Sequence, residues 1–179
     1  MCGFVVTTDV KNTELMLSKQ AFRGPDAQSF YKDSFVGMGH ALLDINGEKQ
    51  IQPYKTKNGN YIVFNGEMYD TTIANDTEYL ANGLETYGVD FLVHNDWHGS
   101  LVWYKPKQKE VFMVRDHFGA KPLWHYQKGS QFTITTSLRS ILNGEPDNTY
   151  VKEYRVNSLL QGDECHIKNV RKVAPGEFH

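Results

Sequence analysis

The chain lacks the features that mark several large classes of protein. It has two cysteines in 179 residues, Cys2 and Cys165, which are too few for the disulfide framework of a small secreted domain. No apolar run approaches the roughly 20 residues that a membrane helix needs, and the N-terminus has no signal-peptide core. Without an export signal, we expect a cytoplasmic protein in which both cysteines are thiols.

Charge of one sign is also absent. The 19 basic and 21 acidic residues give a net charge of −2, which predicts neither a basic face for nucleic acid nor a polybasic membrane-binding segment. P-loop, GxGxxG, HExxH and CxxC motifs are missing, and a histidine pair at positions 94 and 98 is weak evidence for a metal. We therefore expect no cofactor and no metal. Since no Pro/Ser-rich linker divides the chain, we expect a single domain over residues 1–179.

Short β-branched and apolar stretches dominate what is present. They predict strands over residues 3–8, 29–33, 35–43, 61–65, 101–104, 111–115, 123–127 and 131–136. Apolar residues at helical spacing predict helices over residues 13–22 and 76–87, and a shorter one over 138–142. Many strands with few helices predict an α+β layered domain with largely antiparallel sheets.

Met1-Cys2-Gly3-Phe4 raises the first question of chemistry. If Met1 is removed, Cys2 carries a thiol and a free α-amino group on one residue, a nucleophile with its own base; such an amine has a pKa of about 7.7–8.0. Cysteines at the second position are also common as inert residues. These four residues alone favour the inert cysteine.

Three further motifs each have a structural and a functional interpretation. Asn65-Gly66-Glu67-Met68-Tyr69-Asp70 is typical of a tight turn, but the Asn65 amide and the Gly66 N–H are also suitable donors for a tetrahedral oxyanion. Residues 23–26, Arg-Gly-Pro-Asp, end a helix and start a turn. Residues 115–123, RDHFGAKPL, favour a structural loop held by its Arg/Asp pair.

Taken in order, these motifs, a Gly-His before an apolar run, Gln52-Pro53 and Asp76 with Glu78 at the start of a helix resemble the class II glutamine amidotransferase domain. The branch that they resemble is the glutaminase domain of asparagine synthetases. The resemblance extends from Cys2 to residues 173–176. It implies an N-terminal nucleophile hydrolase fold, a four-layer αββα sandwich of two antiparallel sheets flanked by helices.

The resemblance also implies roles for individual residues. Cys2, freed of Met1, attacks the side-chain amide of glutamine and forms a thioester that water hydrolyses to glutamate. Asn65 and Gly66 match the oxyanion hole. The remaining matches concern the substrate: Glu67 and Asp76 bind its backbone groups, Ile45 and Asn46 line the pocket through their main chains, and Arg23 supports the nucleophile.

Departures from the family pattern leave alternatives open. Leu42 stands where relatives carry the arginine that holds the glutamine α-carboxylate. Another cation (Lys49, Lys55 or Arg23) takes its place, or glutamine binds weakly, or the substrate is a different primary amide, or the domain is a non-catalytic binding or regulatory module. Asp70 and Leu138 also depart from the pattern. No synthetase domain is present in the sequence, so the chain is either an excised domain or a stand-alone glutaminase; for the stand-alone protein we expect that ammonia passes to a separate ammonia-using synthetase.

Overall fold

The computed structural model describes residues 1–45, 49–69, 75–142, 144–157 and 165–179, with only the backbone described for 153–157. Ten strands and four α-helices form within these residues. The strands are β1 (Gly3–Thr7), β2 (Ala27–Lys32), β3 (Gly37–Leu42), β4 (Tyr54–Lys55), β5 (Tyr61–Met68), β6 (Trp97–Lys105), β7 (Glu110–Arg115), β8 (Trp124–Lys128), β9 (Gln131–Thr135) and β10 (Val170–Lys172). The helices are α1 (Thr13–Ser18), α2 (Asp76–Tyr87), α3 (Asp90–Val93) and α4 (Asn148–Asn157).

The strands form two antiparallel sheets. A six-stranded sheet has the order β10-β8-β9-β1-β3-β2, and a four-stranded sheet has the order β4-β5-β6-β7. The C-terminal segment extends the second sheet: Met113 and His179 exchange backbone hydrogen bonds of 2.8 and 3.0 Å, and Arg115 N donates to Glu177 O at 3.0 Å. Residues 177–179 therefore cover the outer edge of β7.

Strand alternation gives each sheet one face toward the other sheet and one toward helices. Phe4 and Met38 from the first sheet and Val63 and Val102 from the second belong to one buried cluster between the sheets. The opposite face of the second sheet packs against α2 and α3, and the opposite face of the first sheet packs against α1. The layers are therefore α, β, β and α, and the predicted α+β sandwich is confirmed.

The elements near the N-terminus determine where Cys2 lies. Helix α1 ends at Ser18, earlier than expected, and a 3-10 turn over Ala21–Arg23 follows it. Strand β1 lies in the middle of the first sheet, between β3 and β9. Cys2 is the residue immediately before this central strand.

Helix α2 has the predicted bounds. Asn75 has an extended backbone before the first turn, and its side chain accepts a hydrogen bond from Glu78 N at 2.9 Å. This is the N-cap expected from the Asn75/Glu78 spacing. Gly88 follows the helix with a φ of 64°, a conformation in which glycine has no steric penalty. Asp76 is thereby fixed as the first residue of the helix.

Candidate active site

Cys2 lies between two backbone groups at the end of β3. Its Sγ is 3.4 Å from Leu43 N, which donates to it, and 3.7 Å from Leu43 O. The residue is half-buried. Met1 precedes it and is half exposed, so the nitrogen of Cys2 is part of a peptide bond. The thiol is thus held at the surface end of the central strand pair.

Arg23 holds the main chain of Cys2. Its Nε donates to the carbonyl oxygen of Cys2 at 3.1 Å, and its Nη2 lies 3.9 Å from the Met1 sulfur. Burial lowers the pKa of the Arg23 guanidinium, and the nearby Cys2 thiol opposes this effect. Arg23 therefore contacts the main chain of Cys2 directly, which is consistent with the predicted support of the nucleophile.

The Arg-Gly-Pro-Asp loop fixes the end of β3. A side chain on Gly24 would place its Cβ 2.2 Å from Ala41 O, so only glycine allows this close approach. Asp26 N donates to Leu42 O at 3.0 Å, and the Asp26 carboxylate accepts from Asp44 N at 2.8 Å. Because Leu43 lies between these two anchored residues, the loop also fixes the backbone groups that flank Cys2 Sγ.

The second group of candidates lies on the other sheet. Asn65, Gly66 and Glu67 are consecutive residues within β5, which is an extended strand and not the tight turn that the hexapeptide favours by itself. Gly66 pairs with Gly99 on β6, and a Cβ on Gly66 would lie 2.1 Å from His98 O. Close contact between neighbouring strands is the physical reason for this glycine, a reason that the sequence analysis did not give.

Asn65 has a buried donor with no partner. The residue is 2 % exposed, and its Nδ2 makes no hydrogen bond within the described residues. Its side chain is on the same face of β5 as Val63, toward the space between the sheets. Most buried polar atoms are paired, and an unpaired one costs about 1–3 kcal/mol. An amide left free in this way is available to a ligand.

Asp76 lies beside the end of β5. One of its carboxylate oxygens accepts a hydrogen bond from Met68 N at 3.0 Å, next to the exposed Glu67. The two predicted substrate-binding carboxylates are thereby brought to the same corner. Ile45 follows β3 and is 70 % exposed, whereas Asn46 lies outside the described residues.

His40 lies between the candidate residues around Cys2 on the first sheet and those on β5 of the second sheet. It pairs with Phe4 across β1 and β3 and is 1 % exposed, and neither ring nitrogen has a hydrogen-bond partner within the described residues. Burial lowers the pKa of His40 to about 4, although Phe64 favours the charged form. The imidazole is therefore neutral near pH 7, and it lies where β1 and β5 face each other.

The three cations considered for the α-carboxylate differ in position. Lys55 pairs with Tyr61, six residues before Glu67 and so about 20 Å from it along the strand. Lys49 donates to the carbonyl of Asp26 at 3.1 Å, near the end of β3 where Leu42 lies. Arg23, as described above, is on the carbonyl of Cys2. Lys49 and Arg23 are at the correct end of the sandwich and Lys55 is not.

The loop after β7 is structural, as predicted, and both charged residues act on backbone groups. Arg115 donates to the carbonyls of Lys121, Val173 and Gly119 at 2.8, 2.6 and 2.5 Å. Asp116 accepts from the backbone N–H groups of Gly99, Phe118 and Ala120 at 3.0 Å or slightly more. The Asp116 side chain therefore holds the backbone of this loop and of Gly99 in place.

Sequence reasoning used His40 only as part of the Gly-His motif, without giving it a role, and it missed Gln20. The signal for His40 was a polar residue inside a buried apolar strand. Gln20 was placed within a helix that ends before it. Among the described residues, no group of three or more His, Cys, Asp or Glu side chains has metal-site geometry. No described helix has the length and apolar character required to cross a membrane.

Comparison with known proteins identifies the family. The family model described as a glutamine amidotransferase domain matches residues 1–179. The chain belongs to this family. Asparagine synthetase [glutamine-hydrolyzing] 3 of Bacillus subtilis is 28% identical to it over 174 residues, which is 82% of this chain and 28% of the synthetase. The amidase chry2 of Gibberella zeae is 25% identical over 94% of this chain and 28% of the amidase. This chain thus spans about a quarter of the length of these relatives.

Solved structures support the fold assignment. A glutamine phosphoribosylpyrophosphate amidotransferase from B. subtilis has a TM-score of 0.68 and 15% identity, and the match covers 99% of this chain and 46% of that one. The structure of the allosteric regulatory enzyme of purine biosynthesis gives a TM-score of 0.66 at 14% identity. At these identities the likeness concerns the fold. The glutamine amidotransferase domain thus has the N-terminal nucleophile hydrolase sandwich expected from the sequence.

Proposed function

We propose that this glutamine amidotransferase domain hydrolyses the side-chain amide of glutamine through a thioester on Cys2. The observation that carries the proposal is the unpaired Asn65 Nδ2, a buried hydrogen-bond donor on β5, in a fold whose first strand begins beside a surface thiol. A donor that is preorganised and dry stabilises developing negative charge more than a hydrated one does.

The chemistry begins with removal of Met1, which frees the α-amino group of Cys2. Cys2 Sγ attacks the amide carbon, and the carbonyl oxygen becomes an oxyanion that Asn65 Nδ2 and Gly66 N–H stabilise. The α-amino group takes the thiol proton and passes it to the leaving nitrogen, so the C–N bond breaks and ammonia departs. Water then cleaves the thioester, and the sum is glutamine plus water giving glutamate plus ammonia.

Substrate recognition in this proposal uses the corner formed by Glu67 and Asp76. Their carboxylates bind the α-ammonium group of glutamine by charge-assisted hydrogen bonds. The main chain at Ile45 contributes to the same pocket in this proposal; Asn46, the other residue that the family resemblance assigns to the pocket, lies outside the described residues. Arg23 acts on Cys2 through its carbonyl, so we describe it as supporting the nucleophile and not as a substrate contact.

The ammonia requires an acceptor. Relatives are glutamine-hydrolysing asparagine synthetases, and free ammonia is largely protonated near neutral pH. We therefore infer that a separate ammonia-using synthetase accepts it, in the cytoplasm. The single-domain organisation over residues 1–179 is part of this proposal.

A second candidate is hydrolysis of a primary amide that lacks an α-carboxylate. Leu42 is apolar and 7 % exposed at the position where relatives hold that carboxylate, and two relatives are fungal amidases. A non-catalytic binding module is the remaining alternative. Glutamine and 4-aminobutanamide, which is glutamine without its α-carboxylate, distinguish the first two.

The deciding experiment combines mass spectrometry with product assay. We expect a mature N-terminal peptide that begins at Cys2, glutamate release from glutamine, and stoichiometric labelling of Cys2 by a diazo-ketone analogue of glutamine. Cys2→Ser serves as the matched control, with unchanged thermal stability. An intact Met1, or full glutamate release by Cys2→Ser, would contradict the proposal. Faster hydrolysis of 4-aminobutanamide than of glutamine would favour the second candidate.

A further inference from the structure

Gln20 is a fully buried glutamine, 0 % exposed, that lies between α1 and the 3-10 turn. Its Nε2 is 2.9 Å from Phe4 O, 3.0 Å from Thr135 Oγ1 and 2.9 Å from Ser140 Oγ. Its Oε1 accepts from Thr136 Oγ1 at 2.8 Å. A buried amide with partners on both its atoms is a rigid connection, because each broken contact would leave a polar group unpaired.

This network forms hydrogen bonds to both backbone groups of Phe4. Phe4 N donates to Thr136 Oγ1 at 3.0 Å, and Phe4 O accepts from Gln20 Nε2. The same Thr136 hydroxyl donates to Gln20 Oε1. Gln20 and Thr136 therefore form one unit that holds Phe4 from both its N–H and its carbonyl side.

The same side chain of Gln20, together with Arg23, also packs against Gly3, the residue between Phe4 and Cys2. A Cβ on Gly3 would lie 3.0 Å from Gln20 Oε1 and 3.3 Å from the Arg23 side chain, so Gly3 rests directly on these two residues. Arg23 in turn holds Cys2 O. The three residues 2–4 are thus fixed from one side by Gln20 and Arg23, which are three positions apart.

The side-chain contacts lie where the strand ladder on the β9 side ends. The pairing of β1 with β3 extends to Gly3, opposite Ala41, but the registered pairing of β1 with β9 begins at Val5, opposite Thr135. Before Val5, one further backbone hydrogen bond runs from Thr136 N to Phe4 O at 3.2 Å. The Gln20–Thr136 unit adds side-chain hydrogen bonds to Phe4 at this last rung of the ladder.

We propose that Gln20, together with Thr136, is a positioning residue that holds the start of β1 so that the Cys2 thiol is fixed for attack. This inference rests on the proposed function of Cys2. Gln20 touches no substrate in this scheme and acts through the main chain of residues 3 and 4. Since reactions of oriented groups are sensitive to displacements of about 1 Å, loosening this support should slow Cys2 chemistry while leaving substrate affinity unchanged.

The test measures two rates in the full chain carrying Gln20→Met, which has a similar length and no amide. We expect kcat for glutamate release to fall about tenfold with the glutamine KM within twofold, and the rate of Cys2 alkylation by iodoacetamide to fall about fivefold. Thr136→Val, which removes the hydroxyl at constant shape, should act in the same direction. Thr136→Ser, which keeps the hydroxyl, should restore both rates.

A control variant separates positioning from general loss of stability. Asp33→Ala removes a partly buried hydrogen-bond acceptor at the far end of the sandwich and should leave both rates at the wild-type value at 25 °C. Equal losses in Asp33→Ala and Gln20→Met would overturn the inference, as would a Thr136→Val variant with unchanged alkylation. Because alkylation needs no glutamine, a wild-type chain without glutaminase activity contradicts the proposed function, whereas wild-type alkylation in Gln20→Met contradicts only this inference.

Discussion

Polar side chains at the two ends of the sandwich differ in how fully they are hydrogen-bonded. At the end opposite to Cys2, the Asp33 carboxylate accepts hydrogen bonds from Tyr31 OH and Tyr104 OH at 3.0 and 2.7 Å, and from Phe35 N and Val36 N at 2.7 Å each. At the Cys2 end, Asn65 Nδ2 has no partner within the described residues.

The difference separates what stabilises the fold from what is available for function. Burial would raise the pKa of Asp33, but the bonds from Tyr104, Val36, Phe35 and Tyr31 hold it below its usual value. The carboxylate thus stabilises the folded state. Asn65 contributes no such bond through Nδ2, and its cost to stability is the cost of keeping a donor free for a ligand.

Replacing Asn65 should give the largest effect and the sharpest form of this contrast. We expect Asn65→Leu to lower kcat for glutamate release by about 10²–10³, because one oxyanion donor is typically worth that much. The free energy of unfolding should rise by about 1–3 kcal/mol, since Nδ2 has no hydrogen bond to lose and an unpaired buried donor is removed. Steady-state kinetics and urea unfolding measure the two quantities. An unchanged kcat would contradict the role of Asn65 as an oxyanion donor and, with it, the functional difference between Asn65 and Asp33.

Asp33→Ala should produce the reverse pattern. Four donors lose their acceptor, so we expect the free energy of unfolding to fall by about 3 kcal/mol. The kcat for glutamate release at 25 °C should stay within twofold, because the change is at the far end of β2 and β5. Urea unfolding checks the first value, and a large loss of kcat in the folded variant would count against separate roles for the two ends.

Acid should destabilise the Cys2 end through His40. Its pKa is lowered to about 4 in the folded state from about 6.5 when unfolded, so the unfolded chain binds more protons between these values. Stability is complete above pH 6.5 and is lost as pH falls toward 4. We expect a decrease of about 2 kcal/mol between pH 7 and pH 5.

Urea unfolding at several pH values measures this decrease, and His40→Gln is the matched variant because it cannot titrate. The slope between pH 5 and pH 6.5 should be smaller in the variant. The Asp33 carboxylate does not contribute to this slope. Because its pKa is lowered in the folded state, its contribution to the free energy of unfolding is complete above about pH 4. Equal slopes in the two proteins would show that another group titrates.

Tyr104→Phe should give the smallest effect. It removes one of four donors from Asp33 and nothing else that is hydrogen-bonded, so we expect a loss of about 1 kcal/mol and a decrease in Tm of about 2–4 °C. Thermal unfolding followed by circular dichroism measures it. A loss as large as that of Asp33→Ala would mean that this single bond carries the whole network.

The sequence predicted the helices, strands and layered architecture better than it predicted the contacts between distant residues. Helix α2 had clear start and stop signals in Asn75 and Gly88, and its bounds were correct. Strand β5 was expected to end at Asn65 because Asn-Gly usually marks a turn, yet the pairing of Gly66 with Gly99 continues the strand to Met68. That pairing depends on a residue 33 positions away, which local propensity does not register.

The candidate site residues also divide into those that motifs indicate and those that they do not. Family motifs predicted Cys2, Arg23 and Asp76 as site residues, and their roles stay predictions; the structure adds the contacts of Arg23 with the Cys2 carbonyl and of Asp76 with Met68 N. Gln20 matched no motif, because its importance comes from four partners that are distant in sequence or on other elements. Long-range polar networks of this kind follow from tertiary packing and not from a pattern along the chain.

The C-terminal segment 177–179 affects whether two copies of the protein can pair through their strand edges. An open strand edge is a template for pairing with another chain, and this segment occupies the outer edge of the six-residue β7. The opposite edge of that sheet is β4, which is two residues long, and β10 at one edge of the other sheet has three. The four-stranded sheet therefore offers little backbone for edge-to-edge aggregation, and the six-residue β2, at the other edge of the first sheet, is the longest edge strand that remains.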